Sequence, residues 1–351
     1  GGLHHLRDVL SSFNRSSLNI KDVIIWTNNS IISVLPKFDW IRIVDVNDQI
    51  NSWIGLLEWQ FFILNKELQK NDCDILFVPG GIYLGRFKPF VVMAQNLLPF
   101  DKTERKKYRF SKQYFRLIML EYLQKYTFNN SNGIIFLSDF SASKISGTNI
   151  KVESKTIYHG IDKSFFNFNR ENRDFKNDCS NPIKLLYVST INYYKNQINV
   201  VKAFEDLVDK GYKIDLTLIG TAYDPALKEL EKYISGLNGI KNNLRYIGNV
   251  EHQLLIDYYN NADIFIFASS CETFGMILLE AMASALPIAC SNMTSMPEIL
   301  EENGEYFDPN DPKSISMAVN RILLNNKKMN YSKMAFQRAK EFSWEKCSNE
   351  T

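Results

Sequence analysis

The chain lacks the features that mark several large classes of protein. Its 351 residues contain no run of 18 or more apolar residues, the length that a transmembrane helix needs. A formal net charge of +2 gives no overall attraction to nucleic acid. The five cysteines are scattered without a Cys-x-x-Cys pair, which argues against a zinc site and for a reducing compartment. These absences predict a globular, cytoplasmic protein that does not bind nucleic acid.

The two ends of the sequence lack expected elements as well. No secretory signal pattern opens the chain. Gly1 and Gly2 lead directly into a helical pattern, and such a glycine turn normally follows a strand. We therefore expect the first strand of the N-terminal sheet to be missing, and residues 349–351 likewise stop inside a helical pattern.

What is present is an alternation of short apolar runs with helical patterns, which predicts parallel sheets covered by helices. The predicted strands are 23–27, 41–46, 75–78, 90–94, 134–137 and 156–158 in the first half, and 183–188, 214–219, 244–247, 263–267 and 286–289 in the second. The predicted helices of the first half include 53–68 and 102–126. The polar segment 167–182 indicates a linker. We predict an α/β protein of two doubly wound, Rossmann-like domains, 1–166 and 183–351, that face a cleft.

Two glutamates eight positions apart follow the predicted strand 263–267. Glu272 precedes a helix, and Glu280 lies about two turns further on among apolar neighbours. An unpaired carboxylate in that position would be costly, so we expect Glu280 to meet hydroxyl or N–H donors. The unpaired backbone N–H groups at the helix start suit a phosphate. These N–H groups belong to Phe274, Gly275 and Met276.

The spacing of the glutamates, with Phe-Gly after the first and Glu-Ala-Met-Ala at the second, resembles the Glu-x7-Glu signature of the family 4 retaining glycosyltransferases, which have the GT-B fold. The resemblance implies that Glu272 lies at the transferred sugar. It also implies that Glu280 hydrogen-bonds the ribose of a nucleotide sugar. An ordinary core helix flanked by two acids is the alternative.

A second motif reads as strand, loop and helix start from residue 185 to 197. Lys195 is its one basic residue. The family places an Arg at the loop start and a Lys five residues later, both on the diphosphate. Here Thr190 stands at the Arg position, so the resemblance implies that diphosphate binding depends on Lys195 and on helix N-termini. A solvated loop lysine is the alternative.

Other elements extend the resemblance. The loop with Gly248, Asn249 and Val250 resembles the one that faces the nucleotide base through its backbone. Gly2 resembles part of a glycine loop that approaches the diphosphate in this family.

Gln95 and Asn96 stand at a strand end where many relatives carry a His that contacts the transferred sugar. They offer amide hydrogen bonds and no titratable base. A turn before Pro99 is the alternative, since Asn is ordinary at that position.

The segment 101–116 is rich in basic residues. As part of the predicted helix 102–126, it would align four of them on one stripe. These are Arg105, Arg109, Lys112 and Arg116. The pattern suits an anionic membrane surface or a lipid-pyrophosphate acceptor. A solvated helix face is the alternative.

By this resemblance the chain is identified as a retaining glycosyltransferase that moves a sugar from a nucleotide-diphosphate sugar to a glycan or lipid-linked acceptor. Bacterial surface polysaccharide synthesis (O-antigen, capsule or lipopolysaccharide), in the cytoplasm or at the inner face of the plasma membrane, is the expected setting. The resemblance implies front-face attack without a divalent metal or a cofactor. Two alternatives stay open: a catalytically silent nucleotide-sugar-binding scaffold, and a sugar-nucleotide epimerase or hydrolase.

Overall fold

The computed structural model describes residues 2–13, 20–46, 50, 52–148, 150–166, 181–237, 239, 241–324 and 328–351. The chain forms two compact units. The first comprises Gly1–Phe100, Phe110–Gly160 and Ser343–Thr351, and the second comprises Asp101–Arg109 and Ile161–Phe342. This division differs from the predicted domains, because residues 101–109 and 161–166 belong to the second unit and residues 343–351 belong to the first. Most of the predicted linker, residues 167–180, lies outside the described residues.

Fifteen α-helices and twelve strands are described. The helices are α1 (Gly2–Ser11), α2 (Asn29–Ile32), α3 (Trp53–Glu58), α4 (Asn65–Lys70), α5 (Lys102–Lys106), α6 (Lys112–Asn130), α7 (Asp139–Ser146), α8 (Gln197–Asp209), α9 (Asp224–Ser235), α10 (His252–Asn261), α11 (Met276–Ala283), α12 (Met296–Leu300), α13 (Pro312–Leu324), α14 (Lys328–Ala339) and α15 (Trp344–Glu350). The strands are β1 (Val23–Thr27), β2 (Ile41–Asp45), β3 (Leu76–Val78), β4 (Phe90–Ala94), β5 (Gly133–Phe136), β6 (Ser154–Thr156), β7 (Ile183–Val188), β8 (Ile214–Ile219), β9 (Leu244–Tyr246), β10 (Ile264–Phe267), β11 (Ile288–Ser291) and β12 (Glu305–Phe307). Within the described part of the chain, none of the helices is long and apolar enough to cross a membrane.

The strands of the first unit form two parallel sheets. One pairs β1 with β2, and the other has the order β3-β4-β5-β6. The sequence predicts a single incomplete sheet here. Four of the five residues of β4 are buried, as expected for a parallel strand covered on both faces.

The second unit contains one six-stranded parallel sheet with the order β12-β11-β10-β7-β8-β9. The chain proceeds outward from β7 through β8 to β9, and then returns to pair β10 with the other side of β7. The strand order therefore reverses between β7 and β10. In open α/β sheets, ligands bind outside the carboxyl ends of the strands at such a switch point. The four residues of β10 are buried, so this sheet forms the core of the unit.

The predicted helix 102–126 is wrong, because the structure contains two helices there. The Asp101 side chain accepts hydrogen bonds at the start of α5, and the Ser111 side chain accepts one from Tyr114 N at the start of α6. Between them Phe110 adopts a left-handed φ of 65°. Each cap begins a separate helix.

The predicted basic stripe is therefore wrong as well. Arg105 is buried within the second unit, whereas Lys112 and Arg116 lie on α6 in the first. Arg109 lies in the turn between the two helices. The four charges do not share a helix face.

Candidate active site

The loops that follow β7 and β10 are joined by hydrogen bonds at the switch point. Ser270 N donates to Tyr194 O at 2.8 Å, and Asn196 Nδ2 donates to Ala268 O at 2.9 Å. Asn196 has a φ of 54°, a left-handed conformation that Asn tolerates better than most residues. It ends a 3-10 turn and precedes α8. The two loops thus form one connected platform, which the sequence pattern did not predict.

Lys195 and Glu272 meet on this platform. The ammonium of Lys195 donates to Glu272 Oε1, and the lysine is buried while the carboxylate is partly exposed. Burial disfavours the ammonium and is the largest single influence, but the charge and hydrogen bond of Glu272 together with Tyr194 and Cys271 outweigh it, so the pKa of Lys195 is raised. The Lys195 Nζ also lies 5.1 Å from the ring centroid of Tyr194. Lys195 is therefore a buried, ion-paired lysine and not a solvated loop lysine.

Glu280 lies in the second turn of α11, and its side chain is buried with 6% of the residue exposed. Its Oε2 accepts a hydrogen bond of 2.8 Å from the Tyr259 hydroxyl, and its Oε1 lies 3.3 Å from His252 Nε2. Burial and the Glu280 carboxylate raise the pKa of Tyr259 well above its ordinary value, so the phenol stays protonated and donates. The expectation that Glu280 meets hydroxyl or N–H donors is confirmed.

The start of α11 depends on a glycine. Gly275 precedes the helix with a φ of 95°, and a Cβ there would lie 2.6 Å from Met296 Cε. Met276 is the first helical residue, so its N–H and that of Gly275 have no partner within the helix. The ring of Phe274 packs against Phe342 at a centroid distance of 5.8 Å. Only the backbone of this segment is suited to an anion.

The remaining predicted donor-site residues lie along the same edge of the sheet. Thr190 follows β7, and its Oγ1 lies 3.0 Å from Thr221 Oγ1 beyond β8. Gly248 follows β9 and accepts a hydrogen bond from Gly220 N at 2.8 Å. Asn249 and Val250 continue this loop toward α10, with Asn249 exposed and Val250 half-buried.

The predicted sugar-side residues belong to the first unit. Asn96 Oδ1 accepts a hydrogen bond from Leu98 N at 3.2 Å, the contact expected of a turn residue. Gln95 Nε2 lies 3.1 Å from Met93 Sδ. Gly2 begins α1, while Gly1 lies outside the described residues. Their contacts with a diphosphate or a sugar stay predictions.

Sequence reasoning missed His252 and Tyr259. They precede Glu280 by 28 and 21 residues, and only the packing of α10 beside α11 brings them to the carboxylate. In the part of the chain that the structure describes, no three His, Cys, Asp or Glu side chains are placed to hold a metal ion. Metal independence remains a prediction.

The sequence comparisons concern mainly the second unit. Residues 169–339 match the family "Glycosyl transferases group 1". The O-antigen chain mannosyltransferase B of Escherichia coli is 32% identical over 175 residues, which are 47% of this chain and 44% of that protein. The alpha-monoglucosyldiacylglycerol synthase of Streptococcus pneumoniae is 29% identical over 181 residues, 48% of this chain and 40% of that protein. The chain thus spans about half the length of the curated relatives it matches.

A structural comparison extends over the whole chain. The Anabaena protein HepE, solved in complex with UDP and glucose, superposes with a TM-score of 0.72 and 16% identity, covering 100% of this chain and 94% of that one. At this identity the likeness shows the fold alone. Residues 169–339 thus match the group 1 glycosyltransferases, and the chain has the two-domain GT-B fold.

Proposed function

We propose that this protein is a retaining, metal-independent glycosyltransferase that moves a sugar from a nucleotide-diphosphate sugar to a glycan or lipid-linked acceptor. The observation that carries the proposal is the placement of Lys195, Glu272 and Glu280 around the switch point between β7 and β10. All three lie within the segment that matches the family. The fold thus supplies a cation and two carboxylates at the edge where such sheets bind ligands.

The donor would bind with its diphosphate at Lys195 and at the N-terminus of α11. The ammonium and the backbone N–H groups can stabilise the charge that develops on the leaving phosphate. Glu280 would accept hydrogen bonds from the ribose hydroxyls. The hydroxyl of Tyr259 and the ring of His252 fix the Glu280 carboxylate and leave lone pairs for a ligand.

Glu272 would orient the hydroxyls of the transferred sugar. Its pairing with Lys195 favours a binding role over that of a nucleophile, because the carboxylate is already hydrogen-bonded. In the proposed reaction the bond between the anomeric carbon and the phosphate oxygen breaks. The acceptor oxygen forms the new bond on the same face, and its proton goes to the leaving phosphate.

A relative named for O-antigen mannosyl transfer and another named for glucosyldiacylglycerol synthesis support a role in bacterial surface glycan or glycolipid assembly. For this chain we propose a lipid-linked or polysaccharide acceptor. The two alternatives make distinct predictions. A silent scaffold would bind the donor without turnover, and a hydrolase would consume it equally with and without an acceptor.

We also propose a membrane contact at α6, which differs from the predicted basic stripe. One face of α6 carries large apolar side chains exposed at helical spacing, among them Phe115 (65% exposed) and Tyr122 (73% exposed). Ile118, Met119 and Tyr126 complete it, and Lys112 and Arg116 lie on the same helix. Exposed aromatic residues with flanking bases suit an anionic lipid surface.

Vesicle co-sedimentation tests this contact. Phe115→Ser with Tyr122→Ser should reduce binding to anionic vesicles. Leu254→Ser, which removes an exposed apolar side chain from α10, should leave it unchanged. Equal binding by all three proteins would show that α6 does not face a membrane.

A panel of nucleotide sugars tests the function itself. The matching donor at 100 times its dissociation constant should stabilise the protein by about 2.7 kcal/mol in thermal unfolding. Transfer to a lipid-linked or polysaccharide acceptor should then give a product with the donor's anomeric configuration, in the presence of EDTA. An inverted product, or activity that EDTA abolishes and magnesium restores, would contradict the mechanism.

A further inference from the structure

The charges around the candidate diphosphate site do not balance. This inference rests on the proposed function. The loops 188–197 and 268–276 contain a single basic side chain, Lys195, and a single acidic one, Glu272. Because these two are paired, the platform offers a diphosphate no net positive charge. Thr190, at the loop start, adds only a hydroxyl. A second cation from elsewhere in the unit would correct this deficit.

A segment from the first half of the sequence packs beside these loops. Residues Asp101–Arg109 belong to the second unit. The ring of Tyr108 lies 5.2 Å from that of Tyr193 and 5.8 Å from that of Tyr223, measured between centroids. The Tyr108 hydroxyl donates to Asn192 Oδ1. Tyr108 thereby anchors the segment to Asn192, which lies three residues before Lys195 in the loop after β7.

One side of the segment Asp101–Arg109 packs against the rest of the second unit. Positions 101, 104, 105 and 108 have the i, i+3, i+4, i+7 spacing of a single helix face. Glu104, Arg105 and Tyr108 on this face are buried, whereas Lys102, Lys106, Lys107 and Arg109 are exposed. Of the five basic residues in the segment, Arg105 alone is buried, with 9% of it exposed.

The same face reaches the loop after β10. Burial raises the pKa of the Cys271 thiol, and the nearby carboxylates of Asp101 and Glu104 raise it further. Cys271 is the neighbour of Glu272 in the sequence. The face that carries Arg105 therefore approaches both loops of the platform, at Asn192 and at Cys271.

We propose that Arg105 supplies the second positive charge of the donor site by binding the diphosphate of the nucleotide sugar. Arginine suits this position because it keeps its charge when buried and binds phosphate oxygens through two parallel N–H groups. The contact of Tyr108 with Asn192 holds the segment that carries Arg105 against the loop in which Thr190 provides no charge. Arg105 thus takes over the task that a basic residue at position 190 would perform.

Calorimetry with UDP or GDP, whichever the parent binds, tests the proposal. Arg105→Met should weaken nucleoside diphosphate binding about 10- to 100-fold, the range for losing a hydrogen bond to a charged group. Affinity for the corresponding nucleoside, uridine or guanosine, measured by ligand-observed NMR, should not change. Lys106→Met, an exposed neighbour on α5, should match the parent with both ligands.

A compensating variant sharpens the test. Thr190→Arg, introduced into Arg105→Met, should restore most of the lost nucleoside diphosphate affinity. If Arg105→Met proves unfolded in thermal melts, Arg105→Gln keeps a hydrogen-bonding side chain without the charge and carries the same comparison.

Equal nucleoside diphosphate affinity in the parent and the Arg105 variant would overturn the proposal. An equal loss of nucleoside affinity would also overturn it, because that result indicates a structural role. A parent that binds no nucleotide at all would contradict the proposed function and not Arg105 in particular.

Discussion

The two units bury ionisable side chains in opposite ways. In the second unit the buried Lys195 is paired with Glu272, and its pKa is raised. In the first, His5 stacks on His159 with ring centroids 4.5 Å apart, and both rings contact Trp344. Burial lowers the pKa of His5 to about 4 and that of His159 well below its ordinary value. One unit keeps a buried charge, and the other keeps two buried rings neutral.

The difference shows why a perturbed pKa alone does not mark a functional site. A buried charge is costly unless it is paired, so the second unit retains its ion pair where a ligand can use it. Neutral imidazole rings pack like other aromatic side chains. His159 is therefore interpreted as part of the core of the first unit.

The largest effect should follow from breaking the ion pair of the second unit. Lys195→Ala removes the cation that we place at the leaving phosphate, and we expect the rate of sugar transfer to fall about 100- to 1000-fold. Steady-state transfer assays measure this. Lys228→Ala, which removes an exposed lysine from α9, is the control and should keep the parent rate. A Lys195→Ala variant as fast as the parent would remove Lys195 from the mechanism.

The histidine pair of the first unit should appear in the pH dependence of stability. Because the folded pKa of His5 is about 4, below the ordinary 6.5, the unfolded state binds more protons between these values. Stability should be complete above about pH 6.5 and decline as the pH falls toward 4, by about 3 kcal/mol for His5 at 1.36 kcal/mol per pKa unit.

Tryptophan fluorescence isolates this effect. All five tryptophans belong to the first unit, so their signal in urea unfolding reports on that unit. His5→Phe preserves an aromatic ring and should flatten the decline. His252→Phe, in the second unit, is the matched control and should leave the decline in place. An identical decline in the parent and in His5→Phe would show that His5 is not its source.

Sequence patterns located most of the fold, because a buried parallel strand is a short apolar run. The predictions for β1, β4, β7 and β8 match the structure residue for residue. The edge strand β12 was missed, since Glu305–Phe307 is too short and too polar to produce such a run. The break between α5 and α6 was missed because the apolar period of the sequence continues across it. The backbone, however, leaves the helical conformation between the two helices, at Phe110.

The candidate site was predictable only in part. The spacing of Glu272 and Glu280 marks a strand, a loop and a helix, all close together in the sequence. Their partners are distant in the sequence, as with Lys195 for Glu272 and Tyr259 for Glu280, and no local pattern encodes such contacts. Arg105 is the extreme case, because it comes from a segment that the sequence assigns to the other domain.

Replacing Glu280, the buried glutamate of the candidate site, should have the next-largest effect. Glu280→Gln keeps the volume of the side chain but removes the charge that would accept the ribose hydrogen bonds. We expect donor affinity, measured by calorimetry, to fall about 10- to 100-fold while the fold is retained. Glu231→Gln on the exposed face of α9 should bind like the parent. Unchanged affinity in Glu280→Gln would rule out the ribose contact.

The smallest effect should come from replacing Tyr259, whose hydroxyl donates a hydrogen bond to Glu280. Tyr259→Phe removes the hydroxyl that holds Glu280 Oε2 and leaves the buried carboxylate with His252 as its remaining side-chain partner in the described site. Net hydrogen bonds contribute about 1 kcal/mol, so we expect donor affinity to fall about fivefold, with a similar small loss of stability. Tyr258→Phe at the neighbouring position is the control. Because Tyr259 acts through Glu280, Tyr259→Phe should have no further effect on affinity in a Glu280→Gln background. Additive losses in the double variant would show that the two residues act on the donor independently.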